Sequence, residues 1–272
     1  MVYFQKLHEM EYSGRGVTIG MTEQGHLFIG YTLTGRSSSS QARRLKIDEE
    51  LKRIIIEVTD PVILSKGDPR LLVYDALAEY RGILFGSNGK QTGIIDDALQ
   101  TVDKNTGGLV SMSITLDGAK SAGDILASVF DGERMIDGID VTTFEPDAPN
   151  YTPRISGMVV DGPDSIDSYG ALHILKRSQG DGEFPCRELV AFPLSHGIAH
   201  TITTYSGENI IPLPSFRGLP LEATVHGLTS ADDLAQALFE SIEGPDGANF
   251  QVSAGVILQR LSGPEFAVRN RF

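Results

Sequence analysis

An α+β fold with two stacked, mainly antiparallel sheets covered by helices is predicted from three observations. Runs of β-branched and apolar residues bounded by turn residues greatly outnumber helical runs along the 272 residues. The helical runs come in blocks and not in strand–helix–strand alternation, which argues against a parallel sheet. Several strand candidates are also neighbours in sequence, joined by polar turns, as antiparallel pairs are.

In chain order, residues 16–36 (GVTIGMTEQGHLFIGYTLTGR) read as two strands around a polar turn. RIIIEVT (53–59) and RGILFG (81–86) are further strands. TGIIDDALQTV (92–102) is a helix candidate, and SAGDILASVF (121–130) a second, with Ser121 as N-cap and Asp124 three residues on. RISGMVV (154–160) and GALHILKR (170–177) form a hairpin joined by DGPDSIDSY. Pro153 suits the first position of that hairpin and not its interior, since it lacks an N–H. ELVAFPL (188–194) and AHTITTY (199–205) follow. In SADDLAQALFESI (230–242), Ser230 and Asp233 make a capping box, and Leu234, Ala237, Leu238 and Ile242 share one face. NFQVSAGVILQR (249–260) and EFAVRNRF (265–272) form the last pair. With no repeat and no convincing linker, one domain over residues 1–272 is expected.

Lys plus Arg is 23 against 36 Asp plus Glu, a net charge of −13. Such a surface disfavours nucleic acid and anionic membranes but leaves room for a local basic pocket holding one small anion. The single cysteine, Cys186, rules out an intrachain disulfide. No run reaches membrane-spanning length, and residues 1–14 lack a basic stretch followed by an apolar one, so neither a membrane span nor a signal peptide is expected. A cytoplasmic location follows as the expectation. The six histidines show neither H-x-x-x-H nor H-E-x-x-H spacing, so no metal is expected. P-loop, dinucleotide and hydrolase-elbow motifs are missing too.

Five stretches hold candidate site residues. GRSSSSQARR (35–44) brings Arg36, Arg43 and Arg44 together with four serines. Guanidinium forks match phosphate oxygens, and hydroxyls fill the remaining lone pairs. Read alone, the same stretch is also an ordinary polar loop. FGSNGKQTG (85–93) offers Asn88 and Lys90 at a strand end, where a tight turn explains them equally. LLVYDALAEY (71–80) carries Tyr74 in an apolar setting, where read alone it is a packed core tyrosine. AHTITTY ends in Tyr205 and has a polar face that substrate contact and solvent exposure explain alike. The acidic loop FEPDAPNYTPRI (144–155) crowds Glu145, Asn150, Thr152 and Arg154 at the entrance to a strand. The pair Glu145 and Arg154 fits catalysis and a structural salt bridge alike.

GYTLTGRSSSSQAR, VYDALAEYRGILFGSNGKQT and FEPDAPNYTPRI, taken together and in this order, resemble the archaeal-type IMP cyclohydrolases. The likeness runs in islands over roughly residues 15–205, with TPRI after E-x-D the most specific piece. The resemblance implies a four-layer αββα sandwich like that of the N-terminal-nucleophile hydrolases. Val2 follows Met1, so methionine removal would expose no Ser, Thr or Cys nucleophile.

The implied activity is that of a cyclohydrolase, an enzyme acting on C–N bonds of cyclic amidines. It closes 5-formamidoimidazole-4-carboxamide ribonucleotide to IMP with loss of water, in purine biosynthesis. Both reacting groups sit on one molecule, so no cofactor is needed. On this reading Arg154 meets developing negative charge or the carboxamide oxygen, Glu145 orients Arg154 or helps deprotonate the carboxamide, and Tyr74 and Tyr205 donate hydrogen bonds or protons. Arg36, Arg43, Asn88, Lys90, Asn150 and Thr152 bind substrate. The expected partner is a small purine nucleotide, and the sequence leaves a homo-oligomer open. A nucleotide-binding protein of the same fold without turnover, or another amidohydrolase on this scaffold, needs the same residues and stays open here.

Overall fold

Long stretches of continuous burial identify the central strands. Every residue of Arg15–Met21 (β1) and Leu27–Thr34 (β2) is buried, and so is every residue of Arg154–Val160 (β9). Such strands must be covered on both faces. The computed structural model describes residues 3–108, 119–162, 167–178, 184–245 and 249–272. Val2 and part of the connection 161–169 lie outside the described residues.

In chain order the remaining elements are α1 (Gln5–His8), α2 (Ser38–Gln41), β3 (Arg43–Asp48), β4 (Arg53–Val58), α3 (Pro61–Leu64), α4 (Pro69–Leu72), β5 (Asp75–Tyr80), β6 (Ile83–Ser87), α5 (Gln91–Asn105), α6 (Ala119–Ser128), β7 (Met135–Ile136), β8 (Ile139–Asp140), β10 (Tyr169–Arg177), β11 (Pro185–Pro193), β12 (Ile198–Thr203), β13 (Leu221–Thr224), α7 (Ala231–Ser241), β14 (Gln251–Arg260) and β15 (Gly263–Asn270). One sheet has the order β13-β12-β1-β2-β14-β15, and a second the order β11-β10-β9-β6-β5-β4-β3. All strand pairings in both are antiparallel. The fold is therefore mixed α and β with mostly antiparallel sheet and few helices, as predicted.

Alternation decides which face each side chain takes. Val17, Ile19, Ile29, Tyr31 and Leu33 of the first sheet pack against Ile54, Ile56, Ile155, Val159, Leu172 and Ile174 of the second. The sheets approach so closely that a Cβ on Gly157 would lie 2.7 Å from Val17 Cγ1. The other face of the second sheet, with Phe85, Met158, Val160, Ala171 and Leu175, carries α5 and α6. The other face of the first sheet carries α7, through Leu234, Leu238 and Ile242 against Phe28, Val256 and Leu258.

The α7 capping box forms as the sequence indicates, with Ser230 Oγ accepting from the Asp233 N–H and the Asp233 carboxylate accepting from the Ser230 N–H. Among the described residues helix α6 runs from Ala119, so Ser121 lies inside it and is not its cap; Ala119 and Lys120 are good helix formers that extend the helix ahead of it. Arg81 and Gly82, read as a strand start, have φ of 51° and 85° and make the β5–β6 turn.

His173 sits in β10 under α6, directly across from Ser156 on β9. Its ring stacks on Phe130 at 4.5 Å, and neither ring nitrogen has a hydrogen-bond partner among the described residues. Burial, with Arg187 nearby, pushes its pKa from 6.5 down to about 4. The unfolded chain thus takes up the proton first. The stability that neutral His173 confers is complete above about pH 6.5 and lost as pH falls towards 4, on the order of 3 kcal/mol in all. His173→Leu should fold and should lose about 1–3 kcal/mol less than the wild type between pH 7 and pH 4.5 in urea titrations. Equal losses would show that His173 is not held neutral.

Candidate functional site

One end of the sheet stack gathers the start of β1, the end of β2, the start of β3, the residues before β5 and β9, and the residues after β12. Antiparallel pairing makes these ends coincide. Between them lies a cleft of about 300 Å³. Its walls include Arg15, Arg36, Arg43, Glu145, Asp147, Asn150, Thr152 and Tyr205, together with Ser37, Ser39 and Ser40.

At its base, Arg15 Nη2 donates to both Glu145 oxygens at 3.1 Å, and both side chains are buried. Arg15 is in phase with Val17 and Ile19, so strand alternation turns it inward. Glu145 is held by its own N–H, which donates to the Thr152 carbonyl at 2.9 Å. Burial lifts the Glu145 pKa above the usual carboxylate range, although Arg15 and Arg154 oppose this. Burial disfavours the charged form of Arg15 as well, but Glu145, with smaller help from Tyr74, Tyr31 and Tyr205, carries it above its ordinary value.

Gly14, just before Arg15, lets the chain pass close to Thr204 and Tyr205. Its φ is +75°, and a Cβ there would lie 2.1 Å from Thr204 Oγ1 and 2.6 Å from the Tyr205 ring. Tyr205 stacks on Tyr12 with ring centroids 5.7 Å apart, and its hydroxyl meets Thr152 Oγ1. Thr152 also donates from Oγ1 and from its N–H to Asp147. Burial raises the Tyr205 pKa, so its hydroxyl holds its proton and serves as a hydrogen-bond donor.

The opposite wall is basic. Arg36 lies 5.1 Å over the Tyr12 ring and donates to Asn209 Oδ1 at 3.0 Å. Arg43 is buried and donates from Nε to the Ser40 carbonyl and from Nη1 to the Leu72 carbonyl. The serine run is the short helix α2, capped by Ser37, whose Oγ accepts from the Ser40 N–H. Arg44 points the other way along β3 and pairs with Glu57 on the exposed face.

Six of the ten sequence candidates thus line the cleft: Glu145, Tyr205, Arg36, Arg43, Asn150 and Thr152. Asn150 accepts from the Leu213 N–H and ties the acidic loop to the 206–216 segment. Arg154 is elsewhere. It shares the outer face of β9 with Ser156, Met158 and Val160, and donates to the carbonyls of Thr143 at 2.6 Å and Asp140 at 3.2 Å. Burial lowers its pKa, against the pull of Glu145. Arg154 and Lys90 line a separate hollow of about 10 Å³ that shares Leu71 and Glu145 with the cleft. Lys90 is paired with Asp137.

Two candidates sit behind the cleft walls. Asn88 is buried and clasps β9, donating to the Pro153 carbonyl and accepting from the Ile155 N–H, each at 2.8 Å. The Tyr74 hydroxyl meets that of Tyr31 at 2.7 Å in the layer between the sheets. Sequence reasoning missed Arg15, Asp147 and Tyr12. An arginine in phase with the apolar Val17 and Ile19 was the available signal for Arg15. Among the described residues, no three His, Cys, Asp or Glu side chains cluster as metal ligands, and no helix is long and apolar enough to cross a membrane.

The class defined by fold and cleft is a two-sheet antiparallel protein holding a buried acid beside a cation-lined pocket. Residues 12–120 match the family described as IMP cyclohydrolase-like protein, which supports the family resemblance of the motifs. The match takes in Arg15, Arg36, Arg43 and Tyr74 but stops short of the loop bearing Glu145. None of the curated proteins matches the chain in sequence.

Removing one partner of a buried pair leaves the other charge uncompensated, at about 3–5 kcal/mol. Arg15→Met should lower stability by that amount in chemical denaturation, and Arg15→Met with Glu145→Leu should recover most of it. If the double variant is no more stable than the single, the two charges are not one energetic unit.

Proposed function

We propose that this protein is an IMP cyclohydrolase that closes 5-formamidoimidazole-4-carboxamide ribonucleotide to IMP with loss of water. The observation that carries the reading is Glu145: a buried carboxyl with raised proton affinity, aimed into a cleft whose other wall is cationic. The family match over residues 12–120 supplies the reaction class. The stacking of helices outside the two packed sheets supports the finer fold reading, a four-layer sandwich like the N-terminal-nucleophile hydrolases.

In this assignment Arg36, Arg43 and the serine hydroxyls of α2 receive the phosphate, since charge-assisted hydrogen bonds to guanidinium are the strong ones. Asn150 and Thr152 face the ribose and base. Glu145 moves a proton between the reacting nitrogen and the formyl oxygen; its raised pKa brings it nearer the working pH. Arg15 supplies fixed positive charge where the formyl oxygen becomes negative. The Tyr205–Thr152–Asp147 chain orients the loop that carries Glu145. Tyr74, through Tyr31, supports the layer behind Arg15. Asn88, Lys90 and Arg154 act from behind the cleft by holding the strand and hairpin that shape it. The substrate supplies both reacting groups, so what remains for the protein is orientation, charge and proton transfer.

The purified protein should convert the formamido ribonucleotide to IMP without added cofactor, followed by ultraviolet absorbance. Glu145→Gln keeps the shape and removes the proton carrier, so kcat should fall about 10²–10⁴-fold while IMP still binds. A wild type that binds IMP and never turns over the precursor would replace the enzyme with a nucleotide-binding protein. IMP should also bind much more tightly than inosine, with the difference shrinking as salt rises; equal affinities in a calorimetric titration would remove the phosphate from the Arg36–Arg43 wall.

A further inference from the structure

The hollow behind Glu145 has its own chemistry. It is bounded by Arg70, Leu71, Lys90, Val141, Glu145 and Arg154, and its volume is about 10 Å³. A site for one water needs about 10–15 Å³ in this measure and two to four polar partners. The hollow stands at the lower bound of that range, and Glu145 and Arg154 supply the polar partners. Glu145 receives its two bonds from the same Arg15 nitrogen, which leaves lone pairs on each oxygen. Arg154 has five N–H groups, and its Nη1 makes only a long 3.4 Å bond, to Gln91 Oε1, among the described residues. Glu145 thus stands in the wall between a space sized for a nucleotide and a space sized for a single water.

We propose that this hollow binds one water molecule between the Glu145 carboxyl and the Arg154 guanidinium, and that it receives the water released in ring closure. The second half rests on the cyclohydrolase reading; the first does not. In the balanced reaction a C–N bond forms between the carboxamide nitrogen and the formyl carbon. The carboxamide nitrogen gives up one proton and the formamido nitrogen another. The formyl oxygen takes both, its bond to carbon breaks, and it departs as water. With Glu145 on the boundary, the oxygen it protonates leaves towards the hollow, and the nucleotide need not move. Arg154 is then a positioning residue: it touches no substrate and orients the water and, through it, the carboxyl. Its bonds from Nε to the Thr143 carbonyl and from Nη2 to the Asp140 carbonyl hold the guanidinium in place, as such a role requires.

The test is a high-resolution crystal structure of the wild type and of Val141→Ile, with steady-state kinetics on both. Val141→Ile adds one methyl group to the hollow wall, about the share of volume that a water occupies. The expected result is one ordered water within hydrogen-bond distance of Glu145 and Arg154 in the wild type. The variant should lack it, with kcat down about tenfold or more and KM for the formamido ribonucleotide changed less than about twofold. If Val141→Ile does not fold, Arg154→Lys takes its place with the same readouts, because an ammonium cannot reproduce the planar fork. A dry hollow in the wild type overturns the water site. An emptied hollow with unchanged kcat overturns its role. A wild type that holds the water and never turns over the precursor leaves the site standing and fails the cyclohydrolase reading instead.

Discussion

The pairing of Arg15 with Glu145 is the constraint around which the cleft is organised. It joins the first residue of β1 to a loop 130 residues later. Neither charge is tolerable alone at that depth, so each fixes the other. Glu145 in turn fixes its loop through Thr152, which also meets Asp147 and Tyr205. Tyr205 stacks on Tyr12, and Tyr12 carries Arg36 on its face. One buried contact therefore propagates by short steps around most of the cleft wall.

The two sheets give that contact its geometry. Antiparallel neighbours bring the beginnings and ends of six elements to one edge, and the inter-sheet layer narrows there from apolar packing to polar side chains. Val17, Ile19 and Ile29 fill the middle, and Tyr31 with Tyr74 marks the transition. A cleft made in this way backs onto rigid apolar packing. Arg15 and Arg43 stand on strands, and the loop that carries Glu145, Asp147 and Thr152 is held by the hydrogen bonds among them, which fixes their side chains.

Much of this was legible in the sequence. Period-two patterning and turn chemistry located β1, β2, β4, β9, β10, β14 and β15 closely, and the Ser230–Asp233 box located α7. Strand β5 was harder, because DALAEY is made largely of good helix formers; burial on both faces of a central strand overrides that preference. The 35–44 segment reads as a polar loop, yet Arg43 is buried because it starts a strand and its neighbour Arg44 takes the outward position. Arg154 illustrates what a single strand cannot say. Pro153 correctly marks the strand start, but which face looks into the cleft depends on the partner sheet, and Arg154 falls on the helix-covered side. Tyr12 matters through Tyr205 and Phe250, far along the chain, which no local pattern encodes, whereas Asp147 bonds Thr152 only five residues on.

The pairing of β1 with β12 sets Gly16 beside Thr203, and that of β2 with β14 sets Gly30 beside Val256. Loops of this length must close before their contacts contribute, so the chain has the topology of a slow folder. The stretch that carries the family pattern, residues 12–120, contains β1 and β2 without their outer neighbours β12 and β14. Cut out alone, it would present two long, fully buried strands as open edges, the arrangement that invites aggregation. Residues 12–120 are thus not a unit that can stand by itself: in this architecture the second half of the chain supplies the strands that close the edges of the first.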